Sequence, residues 1–200
     1  MDAHDNIYIY APPQVPLETR SAERPALPPF YVVSLRKLVL LSIATVGLYS
    51  LYWFWRHWKL HKLDRKLDIW PVPRAIFAIF FAHGLNEEID HRLRRAGQRH
   101  DWSPGTWATV YVVSAIIGQI ISRLPDAMLA PGPSFGLAML TVGGGTLAMV
   151  QAQRAANLAC GDPTGSANAR LTPLNWLWLV LGGLFWLLVL VGLALPLGDS

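Results

Sequence analysis

Residues 174–195 read LNWLWLVLGGLFWLLVLVGLAL, an uncharged run that follows Thr172-Pro173. A helix needs about 20 apolar residues to cross a hydrocarbon core of roughly 30 Å, and this run has the length. Its leucines and valines contribute on the order of −4 to −8 kcal/mol to insertion, and no charged side chain opposes them. Thr172 suits an N-cap and Pro173 the first helical position, so the run also carries a start signal. A helix that is apolar on every side needs lipid or a very large core around it.

Working outward, Thr106–Ser122 and Ser134–Val150 are likewise long enough to span, and Leu38–Trp55 forms a fourth block. Arg36, Lys37 and Arg56 bracket that fourth block, and Tyr49, Tyr52, Trp53 and Trp55 gather at its far end like an interfacial belt. Ala75–Leu85 is apolar but only about 16 Å long as a helix. Any wider window around it takes in charges from Lys66, Asp68, Arg74, Glu87 and Glu88, so it reads as interfacial or re-entrant. Between these blocks, Leu60, Leu63 and Leu67 recur at helical spacing among charges, which predicts a helix continuing out of the bilayer until Pro71 and Pro73.

The composition agrees with lipid as solvent: 52% of the residues are apolar, 15% are charged and nine are Trp. A chain of 200 residues cannot bury several such helices on all faces in one soluble domain. The expectation is an all-α fold, a polytopic transmembrane helical bundle over residues 31–200 with four spanning helices and one short interfacial or re-entrant helix. Residues 1–30, rich in Pro and without a basic, apolar and small-residue cleavage pattern, read as a disordered tail and not as a secretory signal. With four spans, Arg56–Arg99 and Gln151–Pro173 share one side and hold most of the 17 Lys and Arg. The positive-inside rule then puts both chain ends outside the cytoplasm. The net charge of +4 reflects this topology and does not point to nucleic acid.

Two aromatic stretches, Gly47-Leu48-Tyr49-Ser50-Leu51-Tyr52-Trp53-Phe54-Trp55 and Asn175-Trp176-Leu177-Trp178 leading through Gly182-Gly183, carry a resemblance. Together they resemble a family of small multi-pass bacterial membrane proteins of unknown function. The resemblance implies a bacterial inner membrane and supplies no catalytic residue.

Several constellations could carry chemistry. His57, His61, Asp64 and Asp68 fall at i, i+4, i+7 and i+11, and His83, Glu87 and His91 at i, i+4 and i+8. Two such faces packed together would offer nitrogen and carboxylate ligands to Zn²⁺ or another divalent ion. The plain alternative is a pair of solvated faces compensated by Arg92, Arg94 and other neighbouring bases. The spacing is not that of a metalloprotease helix, and no cofactor motif is present. Gln119 and the run Gly143-Gly144-Gly145 lie inside spans, where they could line a transport path or serve close helix packing. Packing is the favoured reading. Arg154 could take a lipid headgroup at the membrane edge, beside Gln151, Gln153 and Asn157. The single cysteine, Cys160, excludes an intramolecular disulfide and has no base beside it in sequence.

The expected function is a non-enzymatic membrane scaffold or partner subunit, with the bilayer and a second copy or another membrane protein as partners. A small transporter or channel subunit is the alternative. A membrane enzyme ranks third, for want of a convergent catalytic set.

Overall fold

The computed structural model describes residues 27–125, 128 and 130–194. Among them the chain is all-helical: α1 (Leu35–Ala44), α2 (Tyr49–Arg65), α3 (Pro71–Ile76), α4 (Ala78–Arg95), α5 (Pro104–Ile121), α6 (Pro131–Ala159) and α7 (Pro173–Ala194), with a 3-10 turn at Ser166–Asn168. Proline opens α3, α5, α6 and α7, where its missing N–H costs nothing and its fixed φ suits the first turn. At Thr172 the expected cap forms reciprocally. The Asn175 amide N–H donates to Thr172 Oγ1 at 3.3 Å, and the Thr172 N–H donates to Asn175 Oδ1 at 3.0 Å.

Three helices are long and apolar enough to cross a membrane, at Pro104–Ile121, Gly132–Ala159 and Pro173–Ala194. The fourth expected span, Leu38–Trp55, is not one helix. It breaks between α1 and α2, where Val46 and Gly47 take φ of 51° and 84°. Thr45 closes both helix ends. Its hydroxyl donates to Leu41 O at 2.8 Å and accepts from the Tyr49 N–H at 2.9 Å. The segment Ala75–Leu85 is also divided, because Phe77 (φ −98°, ψ 39°) separates α3 from α4. Neither part is among the candidate spans.

The expected tail over residues 1–30 lies outside the described residues as far as residue 26, and its end is packed: Phe30 is buried among α2 side chains. From Phe30 to Val33 the chain is buried and belongs to no helix or strand. It runs against α2 and the C-terminal end of α6, which with α4 and the start of α1 hold most of the buried core. α5 and α6 run antiparallel on small residues. A Cβ at Gly118 would stand 3.2 Å from Thr141 Oγ1, and one at Gly144 would stand 2.5 Å from Ser114 Oγ. α7 has one buried residue, Gly182, whose backbone lies against Ala44 at the end of α1.

Candidate functional site

Two polar arrangements lie beside each other near the start of α1. The first is a closed lock around the segment from Phe30 to Val33. Gln153 and Asn157, one turn apart on α6, are both fully buried. Gln153 Nε2 donates to Tyr31 O at 2.8 Å and to Asn157 Oδ1 at 2.7 Å. Asn157 Nδ2 donates to Val33 O at 3.0 Å, and its Oδ1 accepts from the Val33 N–H at 3.3 Å, as a neighbouring strand would. Trp53 Nε1 donates to Gln153 Oε1 at 2.6 Å, and His57 Nε2 lies 3.3 Å from the same oxygen. These side chains satisfy backbone groups of a segment that belongs to no sheet, and a buried backbone group left unpaired is costly.

Asn168 continues the lock from the other side. Its Nδ2 donates to Val32 O at 3.1 Å and to the Tyr31 hydroxyl at 2.9 Å, while Lys37 Nζ donates to its Oδ1 at 2.7 Å and to Arg170 O at 2.9 Å. Asp162 fixes the turn that presents Asn168. Its carboxylate accepts from the Ala167 and Ser166 N–H groups, which hold its pKa down to about 2. Gly165, at φ 67°, lies so close to Val33 that no Cβ could be accommodated. Burial lowers the Lys37 pKa and raises that of Tyr31.

The second arrangement is a cleft of about 700 Å³ between α1, α2 and the start of α7. Lys37, Arg56, Tyr49 and Asn168 line its polar end, and Leu41, Leu48 and Trp178 lie along its wall. The Arg56 guanidinium sits over the rings of Tyr31 and Trp55, at 5.6 and 5.8 Å, and its Nε has no hydrogen-bond partner.

The proposed metal ligands do not come together, and no group of three His, Cys, Asp or Glu suited to a metal occurs among the described residues. His57 is turned inward to Gln153, and burial first, with the charges of Arg56 and His61 behind it, pushes its pKa down to about 3. His61 stacks on Phe30 and lies 3.8 Å from Glu88. Asp64 pairs with Arg92 at 3.3 Å, and His83 bonds Thr109 at 3.1 Å. Glu87 and His91 are exposed on α4. Each candidate ligand is thus taken by its own local partner or faces outward: His61 and Asp64 of α2 do face α4, but α4 meets them with Glu88 and Arg92, each one residue past the Glu87 and His91 that the spacing aligned.

Gln119 lies exposed on α5, whereas Gly144 and Gly145 meet Ser114 across the α5–α6 contact, so these residues do not face one another across a cavity. A Cβ at Gly143 would meet open space. The triple glycine does not break its span, since α6 is continuous through it. Arg154 is exposed and donates to Gln151 Oε1 at 3.3 Å. The Cys160 thiol donates to Phe30 O at 3.6 Å, and burial pushes its pKa up to about 11, which keeps it protonated and weakly nucleophilic.

The sequence reading missed the lock and the cleft. The pair Gln153 and Asn157, four residues apart beside a span, was visible as a polar face; its partner, a backbone segment more than a hundred residues away, left no sequence signal. No protein-family model, curated protein or solved structure matches the chain.

Proposed function

We propose that this chain is a non-enzymatic component of the bacterial inner membrane, a scaffold or partner subunit that crosses the bilayer three times with its packed half in the cytoplasm. One observation carries the reading: the buried amide side chains of the lock are used on the protein itself. Gln153, Asn157, Trp53 and Asn168 bond the chain's own backbone or one another, leaving no convergent set poised over a substrate. The bacterial membrane follows from the resemblance of the aromatic stretches.

The orientation follows from charge. α5, α6 and α7 alternate in direction, so the start of α5, the end of α6 and the start of α7 share one side. Every described Lys and Arg except Arg123 lies toward that side, which the positive-inside rule assigns to the cytoplasm. α1 then dips inward and α2 returns. Ala44 meets Gly182, nine residues into α7, so the turn between α1 and α2 lies about 14 Å down a core of roughly 30 Å. The transport alternative draws no support from Gln119 or the glycines.

Two measurements test the proposal. In a Cys160→Ser background, cysteine at Leu27, an exposed position, is expected to be protected from an impermeant maleimide in intact spheroplasts and to react after permeabilisation. Four spans would instead place it outside and labelled. Purified protein in proteoliposomes is expected to pass no ions or small solutes above empty vesicles; flux would overturn the scaffold reading in favour of transport.

A further inference from the structure

We infer that the cleft between α1, α2 and the start of α7 holds one anionic phospholipid, its phosphate at Lys37 and Arg56 and its acyl chains along the apolar wall. The inference rests on the membrane orientation above and names a partner for it.

Charge complementarity selects the ligand. Two cations line the polar end and, among the described residues, no Asp or Glu lines the cleft. Lys37 has only neutral acceptors, Asn168 Oδ1 and Arg170 O, which use two of its three N–H bonds. Arg56 has no hydrogen bond or ion pair among the described residues and is held only by ring faces. Partly buried cations without a counter-charge favour an anion that brings its own oxygens, and a guanidinium matches a phosphate with two parallel bonds. The Tyr49 hydroxyl and Asn175 add neutral polar groups to the lining.

Position selects a lipid over a free anion. Lys37 is tied to Arg170, just before α7 begins, and so stands at headgroup level. Leu41, Thr45 and Leu48 continue the wall toward the turn that dips into the core, and Leu174 and Trp178 close it from α7. A free phosphate would leave that wall empty. An acidic peptide would bring backbone polar groups against apolar side chains, at a cost with no partner to offset it. The volume of about 700 Å³ falls inside the range of roughly 300–1,000 Å³ of ligand pockets and suits a headgroup with the first part of its chains, the rest emerging beside α7.

The test uses the full chain, delipidated in mild detergent and given equal amounts of dioleoyl phosphatidylglycerol and dioleoyl phosphatidylcholine, with bound lipid read by native mass spectrometry. Wild type is expected to retain one phosphatidylglycerol in preference to phosphatidylcholine. Arg56→Gln is expected to lower that preference by roughly fivefold, and Arg56→Lys, which keeps the charge but not the paired N–H bonds, to fall between Arg56→Gln and wild type. Arg56 is half-buried and bonds no acceptor among the described residues, so Arg56→Gln loses only its ring contacts and is expected to stay folded, with a melt no more than a few degrees below wild type. Removing charge outside the cleft, with Arg95→Gln and Arg99→Gln together, should leave the preference unchanged, and glycerol 3-phosphate should not displace the lipid.

Equal retention of both lipids by wild type overturns the site. So does an equal loss of preference in the Arg95 and Arg99 variant, which would indicate a charged surface, or displacement by glycerol 3-phosphate, which would indicate a free-anion site. Because the lipid ratio is read in detergent, it does not depend on topology or flux, and either proposal can fail alone.

Discussion

The two ends of α6 obey different rules. From Ala148 to Asn157 its residues are largely buried, and its polar side chains each have internal partners. Toward its N-terminus, Leu137 and Leu140 are exposed, as are Ile116 and Ile120 on α5 and most of α7. In lipid an exposed leucine costs nothing, so that region needs only small residues at the few places where helices touch. Outside lipid the same exposure would be unfavourable, and the chain there buries its aromatics around a polar lock. The contrast separates what holds the fold from what holds it in the membrane.

The sharpest way to break this comparison is to remove one glutamine from each region. Gln153→Leu leaves the Trp53 N–H and Tyr31 carbonyl without partners in a buried site, at about 1–3 kcal/mol each. A loss of about 3 kcal/mol is expected in denaturation of the solubilised protein followed by Trp fluorescence. Gln119→Leu, on an exposed face, is expected to stay within about 0.5 kcal/mol of wild type. Equal losses would mean that the lock does not carry the stability of the packed half.

A smaller effect separates adjacent glycines of α7. A Cβ at Gly182 would collide with the Ala44 backbone, whereas one at Gly183 would meet nothing within 4 Å. Gly182→Ala is therefore expected to cost about 1–3 kcal/mol, and Gly183→Ala to gain up to about 1 kcal/mol from reduced chain entropy. Thermal melts of the two variants settle the order. If Gly182→Ala melts with wild type, α7 is not seated on α1 at that point.

The smallest effect is in pH. His57 is neutral in the folded protein with its pKa down at about 3, against 6.5 when exposed. A depressed folded pKa gives stability that is present above about 6.5 and lost as pH falls toward 3. Between about pH 7 and pH 5.5 that loss is about 1 kcal/mol, and His57→Gln is expected to flatten the slope. A slope unchanged in the variant would assign the acid sensitivity to other groups.

The spans α5 to α7 were legible because lipid imposes one requirement, length without charge, that is met locally in sequence. The first block was not, since hydropathy registers Leu38–Trp55 as continuous while the deciding feature is the positive φ at Val46 and Gly47 and the double cap on Thr45. The histidine spacing was legible as a helix face but not its destination: the contact α2 makes with α6 turns His57 toward Gln153. The cleft has no local signature either, because Lys37, Arg56 and Trp178 come from three separate helices.

The lock also imposes a timetable. Tyr31 and Val33 are bonded by side chains that lie 122 and 124 residues further along the chain. At a synthesis rate of about 5–20 residues per second, those partners leave the ribosome roughly 6–25 s after the segment they hold. During that interval the segment ahead of the first two helices must wait at the membrane with the Tyr31 and Val33 carbonyls unpaired in the protein. A truncated nascent chain ending before Gln153 would therefore be the form most open to proteolysis or to capture by an insertion factor.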